Sequence, residues 1–312
     1  MTTVFDETAA LIESNLEKVI KGKKESIRLV LISLFAGGHT LLEDCPGTGK
    51  TTLAKSLARS IGGIFRRVQF TPDLLPADIT GSSFYNQKEG TFGFREGPVF
   101  ANVVLADEIN RTSPRTQSAL LEVMSENQIT VDGERRDLPQ PFFVVATQNP
   151  GDYHGTYPLP EAQLDRFAIK VSLGYPDFDH EVEILYSQND SHPFDTLAPV
   201  ITCKQILDLQ ESVRHVSFDR TVAEYLVRLV ETTRSDDRLR LGISPRGSLA
   251  LYRTSQARAR LLGRSFVLPE DVRALAIPVL SHRIAMDTKA KYSGITNDEI
   301  IQDIMKKVPV PR

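Results

Sequence analysis

Short apolar, β-rich runs recur along the first part of the chain, at 40–42, 67–70, 103–105, 142–146 and 168–173. Helical stretches or loops separate them. Strands that alternate with helices predict a parallel sheet covered on both faces. Residues 5–34 read as helical in two pieces, broken around Lys21-Gly22-Lys23-Lys24. After Pro193 the strand signal fades. Helical periodicity then runs at about 204–215, 219–234, 246–262 and 270–282, with Asp219, Ser244 and Pro269 as start signals. The predicted fold class is therefore α/β: an αβα core with a parallel sheet over 1–190, followed by a small all-helical domain over 191–312. No internal repeat or low-complexity segment is visible.

Composition adds limits rather than detail. The 312 residues are 41 % hydrophobic and 25 % charged, ordinary values for a globular chain and enough for two domains. No apolar run approaches the ~18 residues of a membrane span, and the N-terminus lacks the basic-then-apolar pattern of a secretory signal. Two distant cysteines, Cys45 and Cys203, suggest no disulfide framework and fit a reducing cytoplasm. Cys45 reads as a small residue that suits a tight loop. His154, His180, His192 and His215 show no zinc-ligand spacing. The net charge of −3 is uneven. Residues 1–190 hold 18 Lys and Arg against 26 Asp and Glu, and residues 191–312 hold 19 against 14. An acidic first part argues against a dedicated nucleic-acid surface there. Opposite signs on the two parts favour head-to-tail contact between subunits.

The chemistry begins at Glu43-Asp44-Cys45-Pro46-Gly47-Thr48-Gly49-Lys50-Thr51-Thr52, between an apolar strand and a helical run. This is a phosphate-binding loop. Its glycines let N–H groups turn toward a polyphosphate, and the helix dipole adds positive potential. Lys50 can reach the β/γ-phosphates and the Thr51 hydroxyl can hold Mg²⁺. The first glycine of the usual pattern is replaced by Asp44. Downstream, Val103-Val104-Leu105-Ala106 runs into Asp107-Glu108. At the C-terminal edge of a parallel sheet these carboxylates fall beside the loop. Asp107 would serve the Mg²⁺ shell and Glu108 would take a proton from the attacking water. Asn149 ends another buried strand, where it can bind water or the γ-phosphate. Arg166, in Leu164-Asp165-Arg166-Phe167, suits a phosphate, the alternative being a surface ion pair with Asp165 or a neighbour. Arg246 falls in the first turn of a helix capped by Ser244 and opened by Pro245. A cation there opposes the helix dipole, which points to a nearby anion.

Together these stretches resemble the AAA+ ATPases, and within them the MoxR family. The resemblance is carried by Val19-Ile20-Lys21-Gly22 with the phosphate loop, by Gln69-Phe70-Thr71-Pro72-Asp73-Leu74-Leu75-Pro76, by Ala106-Asp107-Glu108-Ile109-Asn110-Arg111, and by Gly155-Thr156-Tyr157-Pro158-Leu159-Pro160 through Phe167. It implies ATP and Mg²⁺ as cofactors, with Lys50 and Thr51 as the Walker A pair and Asp107 and Glu108 as the Walker B pair. Asn149 becomes sensor 1, Arg166 the arginine finger and Arg246 sensor 2, while Ile20 and Gly22 lie near the adenine. Two insertions are implied, at 82–98 and as a hairpin at 128–138 around Asp132-Gly133, whose turn residues support it independently. The family implies a homo-oligomeric ring, a hexamer, acting as a chaperone on protein complexes beside a von Willebrand factor A-domain partner. The alternatives are a nucleic-acid motor, with Arg135 and Arg136 on the hairpin meeting a backbone, a metal-chelatase ATPase subunit, and a non-hydrolysing nucleotide switch.

Overall fold

The computed structural model describes residues 2–149, 156–187 and 193–311, apart from the side chains of 2–6. It opens with helices α1 (Thr2–Glu17) and α2 (Lys24–Phe35), separated where Gly22 takes a left-handed φ of 68°. Then follow β1 (Thr40–Glu43), α3 (Lys50–Ser60), β2 (Phe65–Gln69), α4 (Pro76–Thr80), β3 (Gly81–Asn86), β4 (Thr91–Glu96), β5 (Val103–Asp107) and α5 (Pro114–Glu126). The core continues through β6 (Gln128–Val131), β7 (Glu134–Asp137), β8 (Phe143–Gln148), α6 (Glu161–Leu164), β9 (Ile169–Val171) and α7 (Phe178–Tyr186). The last part holds α8 (Cys203–Arg214), α9 (Arg220–Arg234), β10 (Leu239–Leu241), α10 (Pro245–Leu261), α11 (Pro269–Leu280), β11 (Ala285–Met286), α12 (Thr288–Tyr292) and α13 (Asn297–Lys307).

The five predicted apolar runs pair in one sheet, in the order β2-β5-β8-β1-β9, and every pairing is parallel. Alternate residues face opposite layers. Val103, Leu105, Phe143 and Val145 join α1, α2 and α3, while Val104, Ala106, Val144 and Ala146 join α4 and α5. β5 is buried at every position, as a central parallel strand must be. Each fully buried Val or Leu there contributes roughly 1.5–3 kcal/mol.

Both insertions are antiparallel hairpins. β3 pairs with β4, and β6 pairs with β7 through a two-residue turn, Asp132 (φ 53°) and Gly133 (φ 80°). The last part is mainly helical, as predicted, and also carries the short pair β10–β11. Two- and three-residue strands leave too little periodicity to be read. Helices α8, α9, α10 and α13 begin at side-chain caps: Thr202 with Gln205, Asp219, Ser244, and Thr296 with Glu299. The expected division at 190/191 lies outside the described residues, as do His154, Gly155 and His192. The apolar cluster on the α1–α3 face runs on into α8–α11 and α13.

Arg283 anchors the helical region to the chain just before β9. Its Nε lies 2.9 Å from Asp165 Oδ1, and its terminal nitrogens donate to the carbonyls of Phe167 (2.6 Å) and Ala168 (3.1 Å). Burial draws this guanidinium down to about 10, and the Asp165 charge works against that fall.

Candidate functional site

Parallel strands end on one edge, so the sheet delivers its C-terminal loops to one place. Glu43 pairs in register with Gln148, and Gln69 with Asp107. The segments that follow β1, β5 and β8 therefore meet. Pro46, Gly47, Gly49, Lys50, Thr51, Thr52, Asp107, Glu108 and Asn149 line one cleft of about 390 Å³. Thr48, between Gly47 and Gly49, does not line the cleft; its hydroxyl donates to Cys45 O at 3.3 Å. Gly47 (φ 84°) and Gly49 (φ 89°) adopt the left-handed backbone that the loop requires. α3 starts at Lys50, so the first N–H groups of the helix open onto the cleft. The Lys50 ammonium donates to Asp44 O at 2.6 Å and Cys45 O at 3.1 Å.

The two carboxylates are fixed by a shared hydroxyl. Thr147 Oγ1 donates to Asp107 Oδ1 at 2.6 Å and accepts from the Glu108 N–H at 2.9 Å. Glu108 is held at φ 58°, an uncommon conformation for a side-chain-bearing residue and one that clusters at functional sites. Gln69 Nε2 donates to Glu108 Oε2 at 2.8 Å, and Arg111 approaches the same oxygen at 3.4 Å. Arg67 reaches Asp107 Oδ2 at 2.6 Å and Gln69 Oε1 at 2.9 Å. Sequence reading missed Arg67, Gln69 and Thr147 as site residues. The available signal was their position at or near strand ends: Arg67 and Gln69 are two apart on β2, beside β5. Thr51 and Asp107 together offer a hydroxyl and a carboxylate, hard oxygen donors of the kind Mg²⁺ takes beside phosphates and water. Among the described residues no cluster of three His, Cys, Asp or Glu side chains forms an all-protein cage.

Ile20 and Gly22 lie to one side of the cleft. The Ile20 δ-methyl is 3.8 Å from the place a Cβ on Gly49 would occupy, and Gly22 packs on the His180 ring. Arg166 and Arg246 are not brought to this cleft. They line a separate cavity with His39, Ser125, Asp165 and Arg283. His39 and Ala168 immediately precede β1 and β9, so this cavity lies at the opposite, N-terminal edge of the sheet. Arg166 donates to Leu121 O at 2.5 Å and to Ser125 Oγ at 2.8 Å. The expected alternative of an Arg166–Asp165 pair is not formed: Asp165 takes Ser244 Oγ at 2.8 Å and Arg283 at 2.9 Å. That bond to Ser244, the cap of α10, also sets the position of Arg246. A larger cavity of about 670 Å³ lies between α2, β9 and the α10–α11 pair, and none of the candidate catalytic, nucleotide-binding or metal-binding residues lines it. Size alone does not mark the site. No helix among the described residues is long and apolar enough to cross a membrane.

Comparison with known proteins agrees with this geometry. Residues 39–169 match the family described as ATPases associated with various cellular activities (AAA), and residues 231–304 match the AAA lid domain. The chain is 51 % identical to the uncharacterized protein YeaC of Bacillus subtilis, over 95 % of its own length and 93 % of that protein's. It is 38 % identical to Chaperone MoxR1 of Mycobacterium tuberculosis, over 95 % and 80 %. The crystal structure of a candidate ATPase from Cytophaga hutchinsonii superposes with a TM-score of 0.91 at 36 % identity, covering 100 % of this chain and 97 % of the other.

Proposed function

Because the chain belongs to the MoxR-type AAA ATPases, we infer that it binds and hydrolyses Mg²⁺-ATP in the cleft of Lys50 and Glu108, and does so in a ring that remodels protein complexes. The observation that carries this reading is the convergence of Lys50, Thr51, Asp107, Glu108 and Asn149 on one cleft. Gly47, Gly49 and the start of α3 cradle the phosphates, and Lys50 leaves its resting carbonyls to meet them. Thr51 and Asp107 hold Mg²⁺, which neutralises charge on the phosphate oxygens when bound. Glu108 accepts the proton of the attacking water, and Asn149 helps place that water.

The distance between the cleft and the arginine pair supports a shared active site. Arg166 and Arg246, at the opposite edge of the sheet, serve the nucleotide of the adjacent subunit, which closes a homo-oligomeric ring. A similar protein named a chaperone supports the remodelling role. A von Willebrand factor A-domain protein remains the proposed partner. The hairpin β6–β7 favours a protein client over nucleic acid. Arg135 pairs with Asp137 at 3.0 Å and Arg136 with Glu134 at 2.5 Å, so carboxylates from the same hairpin answer both cations.

The test is a pair of variants. Lys50→Ala is expected to lose ATP binding. Glu108→Gln is expected to bind ATP and turn it over ~10²–10⁴-fold more slowly, because an amide accepts no proton. Normal turnover by Glu108→Gln would remove the assignment. The same variant, held in ATP, is the bait for capturing the client.

A further inference from the structure

Asp44 stands where a phosphate loop usually has its first glycine. The backbone does not demand glycine here. Among the described non-glycine residues, positive φ is confined to Glu108, Asn127 and Asp132, so Asp44 is free to use its side chain. It is 6 % exposed. Its Oδ1 accepts from the Ser172 hydroxyl at 2.8 Å and the Gly174 N–H at 3.0 Å, and its Oδ2 accepts from the Leu173 N–H at 2.5 Å. A carboxylate this deeply buried persists only with such bonds, and a charged acceptor makes them strong. The Asp44 carbonyl meanwhile accepts from the Lys50 ammonium at 2.6 Å. One residue therefore holds the phosphate-reaching cation with its main chain and the 172–174 segment with its side chain.

That segment leads to α7 and from there to the loop between α1 and α2. Tyr175 O accepts from Lys23 Nζ at 2.6 Å. On α7, Glu183 pairs with Lys21 at 2.7 Å. The His180 ring sits so close to Gly22 that a Cβ there would come within 2.7 Å of it. Ile20 closes the circuit by approaching Gly49. α7 has no buried residue, so these tethers, rather than a core, set its position.

We propose that Asp44 is a positioning residue for nucleotide binding, linking the phosphate loop through 172–174 to α7 and the 20–24 loop. A phosphate that draws Lys50 off the Asp44 carbonyl shifts the loop. The carboxylate carries that shift to α7, and α7 closes the 20–24 loop on the base. The inference rests on the reading of the cleft as an ATP site.

Amide hydrogen exchange with and without Mg²⁺-ATP tests it. In the natural protein, ATP should slow exchange at 47–52, at Leu173 and Gly174, and across α7. In Asp44→Gly, 47–52 should still be protected. Leu173 and Gly174 should exchange at least about tenfold faster, and α7 should no longer respond to ATP. A purely structural role would raise exchange in both states without removing the ATP response. Ser172→Ala leaves the phosphate loop intact and should show the same loss in milder form. It also serves if Asp44→Gly does not fold. An α7 that responds to ATP equally in the natural protein and both variants overturns the inference. Protection confined to 47–52 in the natural protein overturns it as well, while leaving the ATP reading in place. No protection at 47–52 overturns the ATP reading and the inference together.

Discussion

Arg166 and Arg246 donate to the same oxygen: Ser125 Oγ lies 2.8 Å from one guanidinium and 3.2 Å from the other. One arginine precedes β9 and the other sits in the first turn of α10. Their meeting point is thus a joint between the sheet and the helical region. Two cations side by side repel each other, and a hydroxyl does nothing to neutralise them. An anion approaching this edge would relieve that repulsion, and a neighbouring subunit's triphosphate is the anion the proposed ring supplies.

Complementation by mixing follows from this placement. Arg166→Ala and Lys50→Ala should each be nearly inactive alone, since a trans-acting arginine contributes on the order of 10³–10⁵ in rate. Mixed rings contain interfaces with an intact phosphate loop on one side and an intact Arg166 on the other. ATPase should partly return on mixing and should rise with protein concentration. Proven co-assembly without recovery would place Arg166 outside the shared site.

Shortening the hairpin is expected to separate turnover from work. Removing the Asp132–Arg135 tip should leave basal ATPase roughly intact, because none of these residues lines the nucleotide cleft. Coupling to a client should be lost. Client remodelling at the natural rate would reduce the hairpin to a structural turn.

Acid should weaken the fold through His39. Burial pulls its pKa from 6.5 to about 4, the Met124 carbonyl opposes that fall, and the Arg246 charge adds to it. The Val144 N–H donates to Nδ1, so Nε2 carries the proton given to Met124 O. The folded pKa lies below the unfolded one. Stability present above pH 6.5 is therefore lost as the pH falls toward 4, because the unfolded chain binds the proton first. The loss amounts to about 3 kcal/mol for a shift of this size. Urea midpoints at pH 7, 5.5 and 4.5 should fall in the natural protein and fall less in His39→Gln. His282, also buried and lowered, leaves part of the slope. Identical pH dependence in both proteins would contradict the assignment.

Asp271 should prove the most sensitive carboxylate of the helical region. It is fully buried and bonded to Arg258 at 2.5 Å, to both Arg264 nitrogens at 2.7 Å, and to the Leu268 N–H at 2.8 Å. Burial pushes its carboxyl up, but the Arg264 hydrogen bond and its companions hold it below the usual range. Asp271→Ala strands two arginines and is expected to cost about 3–5 kcal/mol, measured by denaturant unfolding. A loss under about 1 kcal/mol would show that water replaces the carboxylate.

The sequence by itself determined the five strands of the main sheet, the phosphate loop and the paired carboxylates. Those features depend on neighbours a few residues away. Glycines at 47 and 49 permit the turn, Lys50 and Thr51 follow because the helix starts there, and Asp107-Glu108 closes an apolar run. What the tertiary structure decided is who meets whom. The β2–β5 register sets Arg67 and Gln69 against Asp107 and Glu108. Asp44 reads along the chain as a missing glycine and becomes a clamp only once β9 ends beside it. Arg166 and Arg246, both legible as phosphate-binding cations, turn out to share one hydroxyl at the far edge of the sheet from the cleft. Side-chain direction across strands depends on register, and the seating of one region on another depends on buried anchors such as Arg283. Both are settled by long-range packing, which leaves no periodic trace along the chain.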